Sequence, residues 1–311
     1  MSAAIEDVEA TVAKQESLSS SAHKALTSPW ASLVAIVIAV LWTIPTVGLF
    51  ITSFRTEDDI NSSGWWTVFS DLFSGKLPEF TMSNYDTVLN GSDTNFATYL
   101  INSFIITIPA VLIPISIATM AAYAFAWMRF PGRSFLFVLI FALQIVPIQV
   151  TMIPLLTTYV DAGLSGPTAP GGGFYTIWLS HSIFALPLAV YLLHNFMSQI
   201  PGELIESARV DGAGHVQIFW RIMMPLMAPA IAAFGIFQFL WVWNDLLVAI
   251  VFGNTDTYPI TARLAELAGS RGQDWFLLSA GAFVALVVPL IVFLSLQRFF
   301  VRGLLAGSVK G

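Results

Sequence analysis

The sequence predicts an all-α membrane protein with six transmembrane helices, and three observations carry that prediction. Of the 311 residues, 56% are hydrophobic and only 10% charged, with a mean hydropathy of +0.77. A soluble domain has about a quarter of its residues charged, so the deficit points to lipid as the solvent. Six apolar runs reach the roughly 20 residues that a helix needs to cross a bilayer. Basic residues also concentrate in alternate segments between those runs, which is how membrane helices are oriented.

The runs are Trp30–Phe54, Leu100–Trp127, Phe135–Tyr159, Phe174–Phe196, Met227–Phe252 and Phe276–Phe299. Residues 1–29 precede them as a polar tail in which Glu6, Asp7, Glu9 and Glu16 outnumber Lys14 and Lys24. The tail lacks the basic start and short apolar run of a signal peptide. Residues 30–299 form the membrane domain, residues 198–225 a loop within it, and residues 300–311 a C-terminal tail. Prolines at 45, 109, 114, 147, 154, 187 and 289 fall inside the runs. In a bundle, neighbouring helices can satisfy the backbone groups that proline frees, so kinked helices are predicted.

With the N-terminus inside, the cytoplasmic segments hold nine of the 13 basic residues: Lys14, Lys24, Arg129, Arg133, Arg209, Arg221, Arg298, Arg302 and Lys310. Arg55, Lys76, Arg263 and Arg271 lie outside. This bias puts both termini in the cytoplasm of a multi-pass protein of the cell membrane. The outer segment from Arg55 to Thr98 is acidic and carries Trp65, Trp66, Phe69 and Phe73, an aromatic run suited to the membrane interface. Asp161 to Gly173, with Pro167, Pro170 and three consecutive glycines, reads as a flexible outer connection. There is no cysteine, which excludes disulfides and thiolate metal sites. The four histidines show no metal-type clustering.

The segment from Ser198 to Pro225 encodes more than a turn. Pro201 suits a first helical turn, and Glu203 and Glu206 sit where the helix dipole favours acids. Leu204, Ile205 and Ala208 form an apolar stripe, and Glu206 can pair with Arg209. Gly212 supplies a helix stop, Gly214 prolongs the break, and His215 to Met224 return to helix before Pro225. A helix of about ten residues is marginal alone in water, so it calls for a docking surface. The small residues Ser207, Ala208, Gly212 and Ala213 permit close approach to one.

This segment reads Glu206-Ser207-Ala208, three residues, Gly212, nine residues, Ile222, one residue, Met224-Pro225. It resembles the E-A-A-x3-G-x9-I-x-L-P signature of the membrane subunits of binding-protein-dependent ABC importers, with Ser207 for Ala and Met224 for Leu. Phe80 to Tyr85, Trp243-Asn244-Asp245 and Arg298 to Leu304 are similar to the carbohydrate branch, in particular the shorter maltose-type permease subunit. The resemblance implies that Glu206, Ser207, Ala208, Asp211, Gly212 and Gly214 couple to a cytosolic ATPase. It implies a tail contact with that ATPase at Arg302, Gly303 and Lys310.

The same resemblance implies a related second permease subunit, a dimer of ATP-binding subunits and an extracytoplasmic solute-binding protein. The substrate would be a sugar, of the maltose or α-glucoside class, moved by alternating access. No G-x-x-x-x-G-K-[ST] occurs, so the chain lacks a phosphate cradle. ATP and magnesium belong to the partner ATPase; this chain is not itself an enzyme and binds no cofactor directly.

Polar residues at membrane depth are costly and often functional. Asp245, with Asn244, Trp243 and Gln149, is a candidate for the substrate path; for Asp245 the competing reading is a helix-packing anchor. Gln144, Ser180 and His181 are read as packing groups. The alternative function is a stand-alone ion-coupled secondary transporter, which would need intramembrane ionisable coupling sites and no ATPase.

Overall fold

The computed structural model describes residues 29–91, 96–165, 169–269 and 274–308. The N-terminal tail assigned from sequence therefore lies outside the described residues, apart from Pro29. The described residues are helical, with no sheet among them and one isolated bridge between Arg55 and Phe80. The chain divides into two compact units, one ending at Thr81 and one beginning at Met82.

The first unit contains α1 (Pro29–Ser53), α2 (Glu57–Ser62) and α3 (Thr67–Phe73). At 1.5 Å per residue, the 25 residues of α1 reach roughly 38 Å, more than the hydrocarbon core. Nearly all of its side chains are exposed, as lipid contact requires. Buried Arg55 closes the turn that follows: its guanidinium donates to the carbonyls of Asp59 at 2.9 Å and Ser63 at 3.0 Å. Trp65 returns to lie against Gly48, where a Cβ would sit 2.8 Å from the indole. Trp66 and Phe73 of the aromatic run stay exposed.

The second unit contains α4 (Ser83–Asn90), α5 (Phe96–Trp127), α6 (Arg133–Leu143), α7 (Ile148–Asp161) and α8 (Phe174–Met197). It continues through α9 (Gly202–Val210), α10 (His215–Trp243), α11 (Leu247–Phe252), α12 (Ile260–Ala268) and α13 (Trp275–Ser308). Five described helices are long and apolar enough to cross a membrane, and α6 with α7 makes a sixth if the bent pair counts as one span.

Two expected spans are not single helices. The third breaks at Gln144–Pro147, where α6 and α7 meet at 102°; Pro147 cannot donate and biases its predecessor away from helix. The fifth stops at Trp243 and resumes at Leu247. The sixth runs on through residues 300–308, expected as a tail, and remains helical to Ser308.

Close packing follows from small residues at helical spacing. Ala118 and Ala122 on α5, and Ala185 and Ala189 on α8, are four apart and buried, and these two helices pack most extensively. In lipid, apolar surface alone does not drive helix association, so such short side chains matter by letting backbones approach. Helix α10 lies against α5, α8 and α13.

The internal prolines explain several cross-helix bonds. A proline frees the carbonyl four residues earlier, and inside a bilayer that oxygen must find another donor. Pro109 frees Ile105, whose carbonyl accepts from the Trp178 indole of α8 at 2.9 Å. Pro114 frees Ala110, which accepts from buried Gln238 of α10 at 3.3 Å. Pro289 frees Ala285, which accepts from the Trp243 indole at 3.1 Å. Each proline thus exposes an acceptor that a particular neighbouring helix fills.

Candidate functional site

Pro201 caps α9 from just outside the helix, one position earlier than a first-turn residue. Ile205 and Ala208 point inward and join a buried cluster with Tyr123, Phe125, Leu193, Met197, Ile218, Phe219 and Met223. That cluster seats the loop on the adjoining ends of α5 and α8. Leu204 is exposed and leaves the apolar stripe expected of it with Ile205 and Ala208, although its spacing of four from Ala208 would put it on nearly the same face. Glu206 is exposed as well. Glu206 and Arg209 are exposed and form no ion pair with each other, unlike the pair expected from their spacing. In water such a pair contributes little against the entropy of fixing two long side chains.

The backbone alone closes the helix. Gly212 adopts φ +83°, a conformation that costs a side-chain-bearing residue energy. Its N–H donates to Arg209 at 3.0 Å, and Ala213 N–H donates to Ala208 at 2.9 Å. These two bonds constitute a Schellman motif, which satisfies the last carbonyls of α9. Ser207 turns its hydroxyl back to the Leu204 carbonyl at 3.1 Å.

After Gly214, the first residue of α10 is tied to α5. The Tyr123 hydroxyl lies 2.9 Å from His215 Nδ1, and the two rings meet edge to face. Residues Phe219–Met223 then form one π turn, in which Met224 N–H reaches back to Phe219. The wider turn falls just before Pro225, whose ring crowds the preceding turn of an ordinary α-helix.

Seen from solvent, the loop is polar at Glu203, Glu206, Arg209 and Asp211, yet it also presents large apolar side chains. Val210 is 86% exposed and Val216 74%, flanked by Leu204 and Trp220. Space around Gly212 and Gly214 is open: a Cβ on either would meet nothing within 4 Å. The structure thus brings Glu206, Ser207, Asp211, Gly212 and Gly214 to one exposed surface, while Ala208 anchors it from beneath.

The residues expected along a substrate path separate. Trp243 is buried at 2% exposure, stacked on Phe239 and edge-on to Phe104, with its indole committed to Ala285. Gln149 is exposed on α7, and Asn244 is exposed at the end of α10. Asn244 turns its amide to the Leu240 carbonyl at 2.7 Å. Asp245 is partly buried and accepts from the N–H groups of Val248 at 3.0 Å and Ala249 at 3.2 Å. His181 Nε2 stands 3.7 Å from the Asp245 carboxylate.

Ser180 on α8 donates to the Tyr159 hydroxyl of α7 at 3.2 Å, the cross-helix role expected of it. Gln144 lies at the break between α6 and α7. Sequence reasoning passed over Gln238, Trp178 and Tyr123; the signal available was a donor-bearing side chain in a chain rich in intrahelical proline. Arg302 and Gly303 fall on the last turns of α13 with their side chains outside the described residues, and Lys310 lies outside them altogether.

Comparison with known proteins gives the family. Residues 113–305 match the family described as binding-protein-dependent transport system inner membrane component. The chain is 52% identical over 280 residues to the osmoprotective compounds uptake permease protein GgtD of Synechocystis sp., covering 89% of this chain and 91% of that one. It is 39% identical to the alpha-glucoside transport system permease protein AglG of Rhizobium meliloti, covering 91% of this chain and 97% of the relative. A chain of a bacterial ABC transporter involved in the import of the acidic polysaccharide alginate shares the fold, with a TM-score of 0.67 at 22% identity. That match covers 88% of this chain and 98% of the other. The chain therefore belongs to the multi-pass inner-membrane permease components of binding-protein-dependent ABC importers, in their carbohydrate branch, where the ATPase is a separate subunit.

Proposed function

We propose that the surface centred on Gly212 docks into a cleft of a cytosolic ATP-binding subunit and receives the movement that drives import. The observation that carries this is the exposed apolar set Leu204, Val210, Val216 and Trp220 on a loop whose inner face is firmly seated. Residues of this size left exposed beside unfilled space fit an interface that a partner completes. Glu206, Ser207, Asp211, Gly212 and Gly214 contact the partner in this reading, and Ala208 holds the helix to the bundle. The C-terminal residues Arg302, Gly303 and Lys310 add a second contact.

In the same reading the Glu206 loop and both termini are cytoplasmic, in keeping with the distribution of basic residues. Residues 30–299 are the translocating domain, 198–225 its coupling loop, and 1–29 and 300–311 its tails. The chain pairs with a related permease, two ATP-binding subunits engage the pair, and a binding protein delivers substrate from the other side. ATP with magnesium in those subunits swings the pair between inward-facing and outward-facing states.

The substrate is a sugar of the α-glucoside class, a reading supported by the AglG relative. The chain is the maltose-type short subunit of such a system. Exposed Gln149 and Asn244 are the residues of the expected path that are free to meet a solute. The alternative of an ion-coupled carrier gives way to the family match over residues 113–305.

The test is a Val210→Asp exchange in the complete complex. Val210 is exposed, so folding should be unchanged, while ATPase co-purification and ATP-driven uptake of maltose should both fall. Full ATPase retention and uptake in that variant would remove the docking surface from this region.

A further inference from the structure

The break in the fifth span carries an inference about how the far end of the bundle is held. Three consecutive residues, Asn244 to Leu246, interrupt helix between α10 and α11. Asn244 N–H still donates to Leu240 at 3.2 Å and Asp245 N–H to Val242 at 3.1 Å, and the backbone groups that remain cannot be left unsatisfied in a membrane protein's interior. His181 is the eighth residue of α8 and accompanies the break, so the interruption lies roughly 10 Å inside that helix's end at 1.5 Å per residue.

Every flank of the break has a side-chain closure. Asn244 supplies its amide to Leu240, closing the outgoing helix at 2.7 Å. Asp245 Oδ2 accepts from Val248 and Ala249, the second and third residues of the incoming helix. The Asp245 carbonyl accepts from the Thr261 hydroxyl of α12 at 2.6 Å. Trp243 ties the preceding residue to α13.

The far segment from Leu247 to Ala268 is then fastened by further side chains. Thr176 donates to Phe252 at 2.8 Å, and Asn102 donates to Asp256 at 2.8 Å and Tyr258 at 3.1 Å. Ser103 accepts from Ile260 N–H at 2.9 Å.

We propose that Asp245 is a positioning residue of the transport cycle: its carboxylate is the internal cap that keeps the fifth span broken and aims the segment Leu247–Ala268. The capping bonds decide between this and a charged pair. His181 Nε2, at 3.7 Å, is beyond hydrogen-bond length, whereas both amide contacts are within it. The acceptor oxygen is therefore what matters, and the negative charge is dispensable. This deepens the importer reading above and rests on it for the transport part only.

The experiment compares Asp245→Ala, Asp245→Asn and wild type in the purified complete transporter. Asn and Asp cap helices about equally well, and Ala does not. Hydrogen exchange at the amides of Val248 and Ala249 should accelerate roughly tenfold in the Ala variant, the factor expected for a cap of ordinary strength. It should stay near wild type in the Asn variant. ATP-driven maltose uptake should be lost with Ala and restored with Asn.

If Asn matches Ala in exchange, or fails to assemble where wild type does, the carboxylate charge is required and the proposal is overturned. Wild-type exchange in the Ala variant overturns it equally. Should Ala fail to assemble while Asn assembles with slow exchange, the cap is supported. Absence of maltose uptake by wild type itself would strike the substrate reading above, and the exchange pattern would still judge the cap.

Discussion

The Gly212 loop and the Asp245 break are both interruptions of helix, and they differ in how far side chains take part in closing them. The loop closes α9 with backbone bonds, Gly212 to Arg209 and Ala213 to Ala208, and leaves Val210 and Val216 exposed. The break adds side chains at each flank, from Asn244, Asp245 and Thr261, to the backbone bonds that Asn244 and Asp245 make to Leu240 and Val242. The difference follows from solvent. Outside the bilayer, water satisfies what the backbone does not, and the surface can be reserved for a partner. Inside the bundle, each polar group needs a built partner, so the break is self-contained.

That comparison can be broken most forcefully at Gly212. A valine there meets no steric obstacle from neighbours but must adopt φ +83°, which costs about 1–2 kcal/mol or more for a β-branched residue. Gly212→Val should abolish ATP-coupled uptake while the helical content of the membrane domain persists. Gly212→Asn, which tolerates this conformation, should retain most of it. The measurements are vesicle uptake, ATPase co-purification and circular dichroism; normal coupling in the valine variant would mean that α9 needs no Schellman closure.

A smaller effect is expected at the bundle interior. Gln238→Leu removes the donor to Ala110 and leaves a buried carbonyl unpaired, at a cost of about 1–3 kcal/mol. Thermal unfolding in detergent should show the loss, and adding Pro114→Ala should recover much of it by returning the native helical donor. Failure of that second change to compensate would show that the proline does not create the need for Gln238.

The smallest effect belongs to the tie between loop and bundle. Tyr123→Phe removes the bond to His215 and keeps the edge-to-face ring contact with Phe219. A loss of about 1 kcal/mol is the usual size for one such bond. Exchange at the amides of residues 215–218 should rise modestly, with the fold of the bundle unchanged. No change there would assign the loop's seating wholly to the apolar cluster around Ile205.

Much of this site was legible before any coordinates. The spacing from Glu206 to Gly212 and on to Ile222 marked the loop, and Gly212 marked the stop, because both depend on contacts within a few residues. Trp243 was legible only as an aromatic beside a polar pair; its indole reaches Ala285, 42 residues away, so its burial could not be inferred from neighbours. The Glu206–Arg209 pair was suggested by spacing but did not form, since spacing permits an ion pair without making it favourable in water. The two broken spans looked continuous because hydropathy reports residence in lipid and is blind to backbone direction.

The sequence by itself determined which stretches are apolar enough to enter the membrane, where the loop between the fourth and fifth of them lies and which prolines strip helical carbonyls of their donors. These are consequences of transfer free energy and covalent geometry, which act along the chain. Tertiary structure alone decided that Gln238 meets Ala110 across 128 positions, that Trp178 meets Ile105, and that Asp245 turns to the amides of α11. Such pairings depend on how each helix is rotated and crossed against its neighbours, and that is settled by packing many small side chains at once.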